Sequence, residues 1–292
     1  MRPRVTVVVP FRGDAAAARR LLTSLTRLRT SVADEVIVAD NTDDQILGAE
    51  AIGAARVIPA AEERSSYHAR NAGARTARNP WLLFIDADCE PEPDLLDAFF
   101  ADPISARCGA LSGAIRHDPS QQGLLARYAR SRHFLSAEEG LLGTQTPLAG
   151  NLLVRREAFD AVGGFATGIR SGGDVDLARR LRAARWEIEY RPRARVTHPH
   201  REELVGFLAM VSRYGAGSRW LNQRYPGSAP PWPLRNGLAS AIRDVASLGL
   251  GGDREAALFR ALDGIGLLAH SLGYRTSNLA PRRARESGST RA

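Results

Sequence analysis

A chain of 292 residues, 44% of them hydrophobic, can bury a large core, and its length allows one large α/β domain or two smaller ones. Its net charge of +8 is carried by arginine alone; the absence of lysine excludes Schiff-base lysine chemistry and any phosphate loop of the G-x-x-x-x-G-K type. Guanidinium groups still suit phosphate through planar bidentate hydrogen bonds, whereas dispersed arginines without interleaved aromatics argue against a nucleic-acid partner. No apolar run approaches the roughly 18 to 20 residues that cross a membrane, and Val5 to Val9 is too short for a signal-peptide core. Cys89 and Cys108 form neither a ligand spacing nor a disulfide framework. The expectation is a cytoplasmic protein, at most peripheral to the inner face of a membrane.

The first strand is Val5 to Val9, closed by Pro10 and the turn Arg12-Gly13-Asp14, with Asp14 as a helix cap ahead of the stripe Leu21, Leu22, Leu25, Leu28. Glu35 to Ala39 reads as a second strand ending in Asp40-Asn41-Thr42-Asp43, and Arg56 to Ile58 as a third. A helix opens at Ser65 or Ser66; its small residues allow close packing on a sheet, it carries Arg70, and Asn79-Pro80 stops it. The run Trp81 to Ile85 is apolar without alternation, as for a strand buried on both faces, and empties into Asp86, Asp88 and Glu90. Ligands bind at the carboxyl ends of strands in open α/β sheets. Two carboxylates one residue apart there can share a hard divalent cation; they are equally readable as solvated loop acids before a helix.

Leu95 to Phe100 reads as a helix, Gly109 to Ile115 as a strand, Gln122 to Leu135 as a longer helix, and Asn151 to Val154 as a strand preceded by Gly150, where backbone can approach a ligand. Asp174 and Asp176 stand at a glycine-loosened helix start, either as acids favourable to the helix dipole or as a general base in a cleft. His198 and His200, an H-x-H pair on an extended segment, are expected on one face, as metal ligands or as ordinary hydrogen-bonded histidines. Glu202 to about Leu221 is a helix, 222–234 a Pro/Gly-rich linker, 235–275 a helical extension with helices at Asn236 to Leu248 and Arg254 to Leu272, and 276–292 a basic, solvated tail. Gly264-x-Gly266-x-x-Ala269 imitates a dinucleotide fingerprint, but no strand precedes it. The last two helices are candidates to cover an acceptor cleft, to pair with a second copy in a homodimer, or to rest on a membrane surface.

Five stretches in order, VTVVVPFRG, VIVADNTD, ARNAGARTARNPWLLFIDAD, AGNLLVRREAFDAVGGF and GGDVDLARRL, resemble the motifs of family 2 glycosyltransferases. The likeness runs from Val5 to about Tyr214, and the segment SRYGAGSRWLNQRYPGSAPPW is similar to sequence in mycofactocin-type glycosyltransferases. The resemblance implies an α/β fold of GT-A type, Rossmann-like with a mostly parallel central sheet flanked by helices, spanning 1–221. It implies transfer of a sugar from a UDP-, GDP- or TDP-linked donor to an unidentified acceptor hydroxyl, with inversion and with Mn²⁺ or Mg²⁺. By matching position, Pro10, Phe11, Arg12, Asp40, Arg70 and Asp86 would line the nucleotide site. Asp86, Asp88 and His198 would face the metal, Asp174 would be the general base, and Gly150, Asn151, Gly173 and Asp176 would lie on the acceptor side. Gly173 stands where the family usually has an acid. The alternatives are an inactive nucleotide-sugar-binding scaffold and a sugar-phosphate nucleotidyltransferase, the latter commonly dependent on a lysine absent here.

Overall fold

A computed structural model describes residues 2–48, 55–135, 147–231 and 254–283, together with 239, 242 and 243. Eight strands form one mixed sheet in the order β3-β2-β1-β4-β7-β6-β8-β5. They are β1 (Val5–Phe11), β2 (Glu35–Asp40), β3 (Ala55–Pro59), β4 (Trp81–Ile85), β5 (Glu90–Pro91), β6 (Cys108–His117), β7 (Asn151–Arg155) and β8 (Glu187–His198). β3, β2, β1 and β4 run parallel; β7 is antiparallel to both β4 and β6, and β6 and β8 are parallel again. Because β7 alone is reversed between β4 and β6, its first residue, Asn151, pairs with Ile85, the last residue of β4. One sheet edge therefore collects the ends of β1, β2, β4, β6 and β8 and the start of β7.

β1 and β4 are buried throughout, as their unbroken apolar runs require. Alternation divides them between two cores. Val5, Val7, Val9 and Phe11 pack with Leu83 and Ile85 beneath α1 (Ala15–Leu25) and α3 (Leu95–Phe99), while Val8, Leu82 and Phe84 face α2 (Ser66–Thr76), α5 (Arg156–Ala161) and α6 (Gly173–Ala183). Asp14 caps α1 by accepting from the Ala17 amide at 2.8 Å. In α2 a methyl group at Gly73 would collide with Val8, so the small residues there are what lets the helix lie on the sheet.

Several expectations change. The helix foreseen over 122–135 is α4 (Leu124–Ser131). α7 (Leu204–Arg224) continues into the expected linker and packs against α8 (Arg254–Gly273) through Gly215 on the His270 carbonyl and Gly273 on that of Ser212. The glycines of the false dinucleotide fingerprint lie inside α8, where Gly264 and Gly266 are buried. The helix expected at Asn236 to Leu248 falls largely outside the described residues, as does the tail beyond 283. Residues 277–283, expected to be solvated, instead form a strap. Ala280 donates to the Gly168 carbonyl, Asn278 accepts from the Arg170 amide, and Arg64 and Arg283 pair across to Pro281 and Glu62. These backbone bonds hold the segment in place with Asn278 and Ala280 buried, while its other residues remain exposed.

Candidate functional site

The first group after β4 is Asp86, and it is ion-paired with Arg70 of α2. Arg70 is 4% exposed. Its Nη1 donates to Ser66 Oγ at 3.2 Å, and its guanidinium lies 5.6 Å from the ring centres of both Tyr67 and Phe165. A buried cation needs such a carboxylate, so Arg70 is committed to Asp86 rather than left free for a phosphate. The other Asp86 oxygen lies 3.0 Å from where a Cβ on Gly150 would stand, which makes glycine the residue that lets β7 begin beside this acid.

Asp88 points elsewhere. Its Oδ1 is 3.3 Å from His198 Nε2 at the end of β8, and these two groups and Cys89 Sγ all lie within 4.8 Å of one another. His198 Nδ1 is 2.6 Å from the Pro199 carbonyl, so that nitrogen donates and Nε2 is the one turned toward Asp88. A carboxylate from the turn after β4 and an imidazole from the end of β8 suit a divalent cation. The Cys89 thiol is pushed well up by burial and by the neighbouring Asp86 and Asp88, and so stays protonated. Of the expected metal set, Asp88 and His198 meet and Asp86 is taken by Arg70. The H-x-H pair also divides: strand alternation ends at His198, and beyond Pro199 His200 turns to His117, with the two ring nitrogens 2.6 Å apart. Burial, then His117 and His198, push His200 down to about 4.

Asp174 lies in the first turn of α6. Oδ2 accepts from the Ala149 amide at 3.2 Å, while Oδ1 is buried and takes no well-aligned hydrogen bond from any described residue. Burial pushes its carboxyl up, against the opposing pull of Arg70 and the Ala149 amide. Asp176, two residues on, is fully buried and fully used: Arg180 Nε at 2.8 Å, Arg224 Nε at 2.7 Å and the Tyr225 hydroxyl at 2.8 Å. It ties α6 to the end of α7 and offers nothing to the cleft.

The nucleotide-side residues divide in the same way. Phe11 is in the core. Asp40 accepts from the Thr42 amide and hydroxyl on one oxygen and from the Leu47 amide on the other, closing its own loop. Pro10 is buried, whereas Arg12 is half-exposed and donates to the Asn41 carbonyl at 2.7 Å. Asn151 is buried and spends its amide on the Ala114 and Ala194 carbonyls, both at 3.0 Å, joining β6 to β8 across the sheet. Sequence reasoning missed Tyr67, which sits over Gly173, and the 277–283 strap. Tyr67 is three positions before Arg70 on α2, the helical spacing that could have placed it on the same face.

The family model for glycosyl transferase family 2 matches residues 6–163. The chain belongs to this family. A pre-mycofactocin glycosyltransferase of Mycobacterium tuberculosis is 31% identical over 268 residues, 88% of this chain and 56% of that protein. This chain thus spans about half the length of that relative. The glycosyltransferase AglE of Haloferax volcanii is 24% identical over 208 residues, 68% of each chain. Among solved structures, the mannosyltransferase PcManGT from Pyrobaculum calidifontis, in complex with GDP-Man and Mn²⁺, superposes with a TM-score of 0.63 at 19% identity over 94% of this chain and 87% of that one. Glucosyl-3-phosphoglycerate synthase from Mycobacterium tuberculosis, in complex with Mn²⁺, UDP and its product, gives 0.52 at 20% identity over 76% and 80%. These likenesses establish the GT-A fold. No helix among the described residues is long and apolar enough to cross a membrane.

Proposed function

We propose that this chain is an inverting glycosyltransferase that moves a sugar from a nucleoside-diphosphate donor to an acceptor hydroxyl, with Asp174 as general base. One observation carries the reading: a half-buried carboxylate with a buried, unpartnered oxygen stands at the same sheet edge as the Asp88–His198 pair, with the neutralised Arg70–Asp86 pair also there. Cleaving a glycosyl phosphate develops negative charge on the diphosphate and positive character at the anomeric carbon, so a base and a cationic site are needed on opposite sides. A divalent cation held by Asp88 and His198 would supply the charge that neutralises the departing diphosphate. Asp174 Oδ1 accepts the proton of the incoming hydroxyl while Oδ2 stays on the Ala149 amide. Gly150 leaves room for the donor beside Asp86, and Arg12 faces the nucleotide from the end of β1.

The relatives support a UDP- or GDP-linked donor and Mn²⁺, and they make pre-mycofactocin the first acceptor to try. The donor site is tested by the melting temperature of wild type and Asp88→Ala with UDP, GDP, TDP, CDP or ADP, each with Mn²⁺ or with EDTA. A ligand at about 100 times its Kd adds roughly 2.7 kcal/mol, a rise of several degrees. One nucleotide that shifts wild type only with Mn²⁺, and fails on Asp88→Ala, is the expected result. A flat response to every nucleotide would end the donor reading; a shift with no transfer to any acceptor would favour a nucleotide-sugar-binding scaffold.

A further inference from the structure

We propose that Tyr67 is a positioning residue for Asp174: its ring fills the space beside Gly173, and its hydroxyl holds the first turn of α6 so that one carboxylate oxygen faces the cleft. The proposal rests on the reading of Asp174 as the base.

Tyr67 is 7% exposed and locked by its neighbours. It stacks on Phe165 at 5.5 Å, and Phe165 is held edge-on by Phe84 at 5.1 Å and Phe159 at 5.6 Å. The Arg70 guanidinium covers the same two rings. A Cβ built on Gly173 would lie 2.7 Å from both Cε1 and Cζ of Tyr67, so any side chain at 173 must displace a ring that has nowhere to go. Cζ carries the hydroxyl, so the phenol end of the ring lies beside Gly173, the residue before Asp174.

That placement answers a local need. α6 starts from Gly172 in the left-handed region, at φ 88°, and no side chain caps it. The amides of its first turn lack intrahelical partners, and the phenol oxygen can accept from Gly173 while its proton turns to Asp174. The Ala149 amide before β7 bonds to Asp174, and Tyr67 and Arg70 from α2, Asp86 after β4 and Tyr214 from α7 are near enough to act on its charge. Tyr67 is the neutral donor among them whose place is set by packing alone.

The test uses Tyr67→Phe, Tyr67→Ala, Gly173→Ala and the double variant Tyr67→Ala/Gly173→Ala in the full chain. The Asp174 carboxyl is followed by carbon-13 NMR and assigned by its loss in Asp174→Asn. Tyr67→Phe keeps the ring and removes one donor to a carboxylate, so Asp174 should titrate about one pH unit higher, and the acid limb of Mn²⁺-dependent UDP-glucose or GDP-mannose hydrolysis should move the same way. An unmoved Asp174 titration would overturn the proposal. Gly173→Ala should lower the melting temperature in wild type and lower it less when introduced into Tyr67→Ala, measured beside that single variant; equal losses in the two backgrounds would refute the packing argument. Undiminished hydrolysis in Asp174→Asn would instead remove the base reading, while the titration and melting results decide the Tyr67 contact by themselves.

Discussion

Asp174 and Asp176 stand two residues apart on one helix, the first half-buried and the second fully buried, and the fold treats them in opposite ways. Asp176 faces α7 and has a charged or hydroxyl donor on each oxygen. Asp174 keeps one oxygen on a backbone amide and has the other unpartnered among the described residues. A fully paired buried acid contributes to assembly, whereas an underpaired one costs stability that the rest of the fold must offset. Such a cost is accepted where a lone pair has work to do.

The largest effect should come from the underpaired acid. Asp174→Asn should lower turnover by a factor on the order of 10² to 10⁴, the usual weight of a general base. The same variant should melt higher at neutral pH. Its folded pKa is raised, so its stabilising contribution belongs to the protonated form; that contribution is lost as pH rises through the folded value, and Asn keeps a neutral side chain throughout. Full activity, or a lower melting temperature at neutral pH with no gain on the alkaline side, would erase the contrast. Asp176→Ala should do the reverse. Stranding Arg180 and Arg224 should cost about 3 kcal/mol, roughly 6 °C or more for a chain of this size, and donor binding should persist in the fraction that stays folded. A melting temperature unchanged by Asp176→Ala would show that the paired acid is dispensable.

Asp34, at the opposite end of the sheet, extends the comparison to pH. It accepts from Arg2, from the Val5 amide that begins β1, and from the Ser31 amide and hydroxyl. Burial alone would raise this carboxyl, but those bonds outweigh it and hold it at about 2, below the ordinary 3.8. Its stabilisation is complete above the ordinary value and disappears as pH falls toward about 2, a loss of about 1 to 2 kcal/mol. Chemical denaturation of Asp34→Asn across that window should show a flatter acid slope than wild type; parallel slopes would contradict the assignment.

Much of this frame was legible in the chain. Unbroken apolar runs announced β1 and β4, and the glycines before Asp174 announced the start of α6 with two acids in its first turn. Alternation counted from Val5 would have placed Phe11 in the core with Val7 and Val9; the motif resemblance put it in the nucleotide site instead. What stayed hidden is partnership across distance. Nothing near Asp176 reveals that Tyr225, 49 positions later, will take one of its oxygens. Nor does anything near Gly173 reveal that the ring of Tyr67 occupies its side-chain space. Asn151 looked like an acceptor-side residue and became a sheet cross-brace because β6 lies beside β7, and β8 beside β6, only in the folded order.

The strap gives the smallest and most local prediction. Asn278 is 7% exposed; its side chain donates to the Ser171 carbonyl at 2.8 Å and its own carbonyl accepts from the Arg170 amide at 3.0 Å. These bonds hold the loop that leads through Gly172 into Asp174, the least supported part of α6. Asn278→Ala should cost about 1 kcal/mol globally, the worth of one hydrogen bond. Locally the effect should be sharper, because opening of that loop no longer has to break the Ser171 contact. Amide exchange should accelerate at Gly168 to Gly173 and stay unchanged in β1 and β4, with Asp176 still anchoring the next turn of the helix. Uniform acceleration across the chain would mean that the strap stabilises the whole domain, and no acceleration that it only lies on the surface.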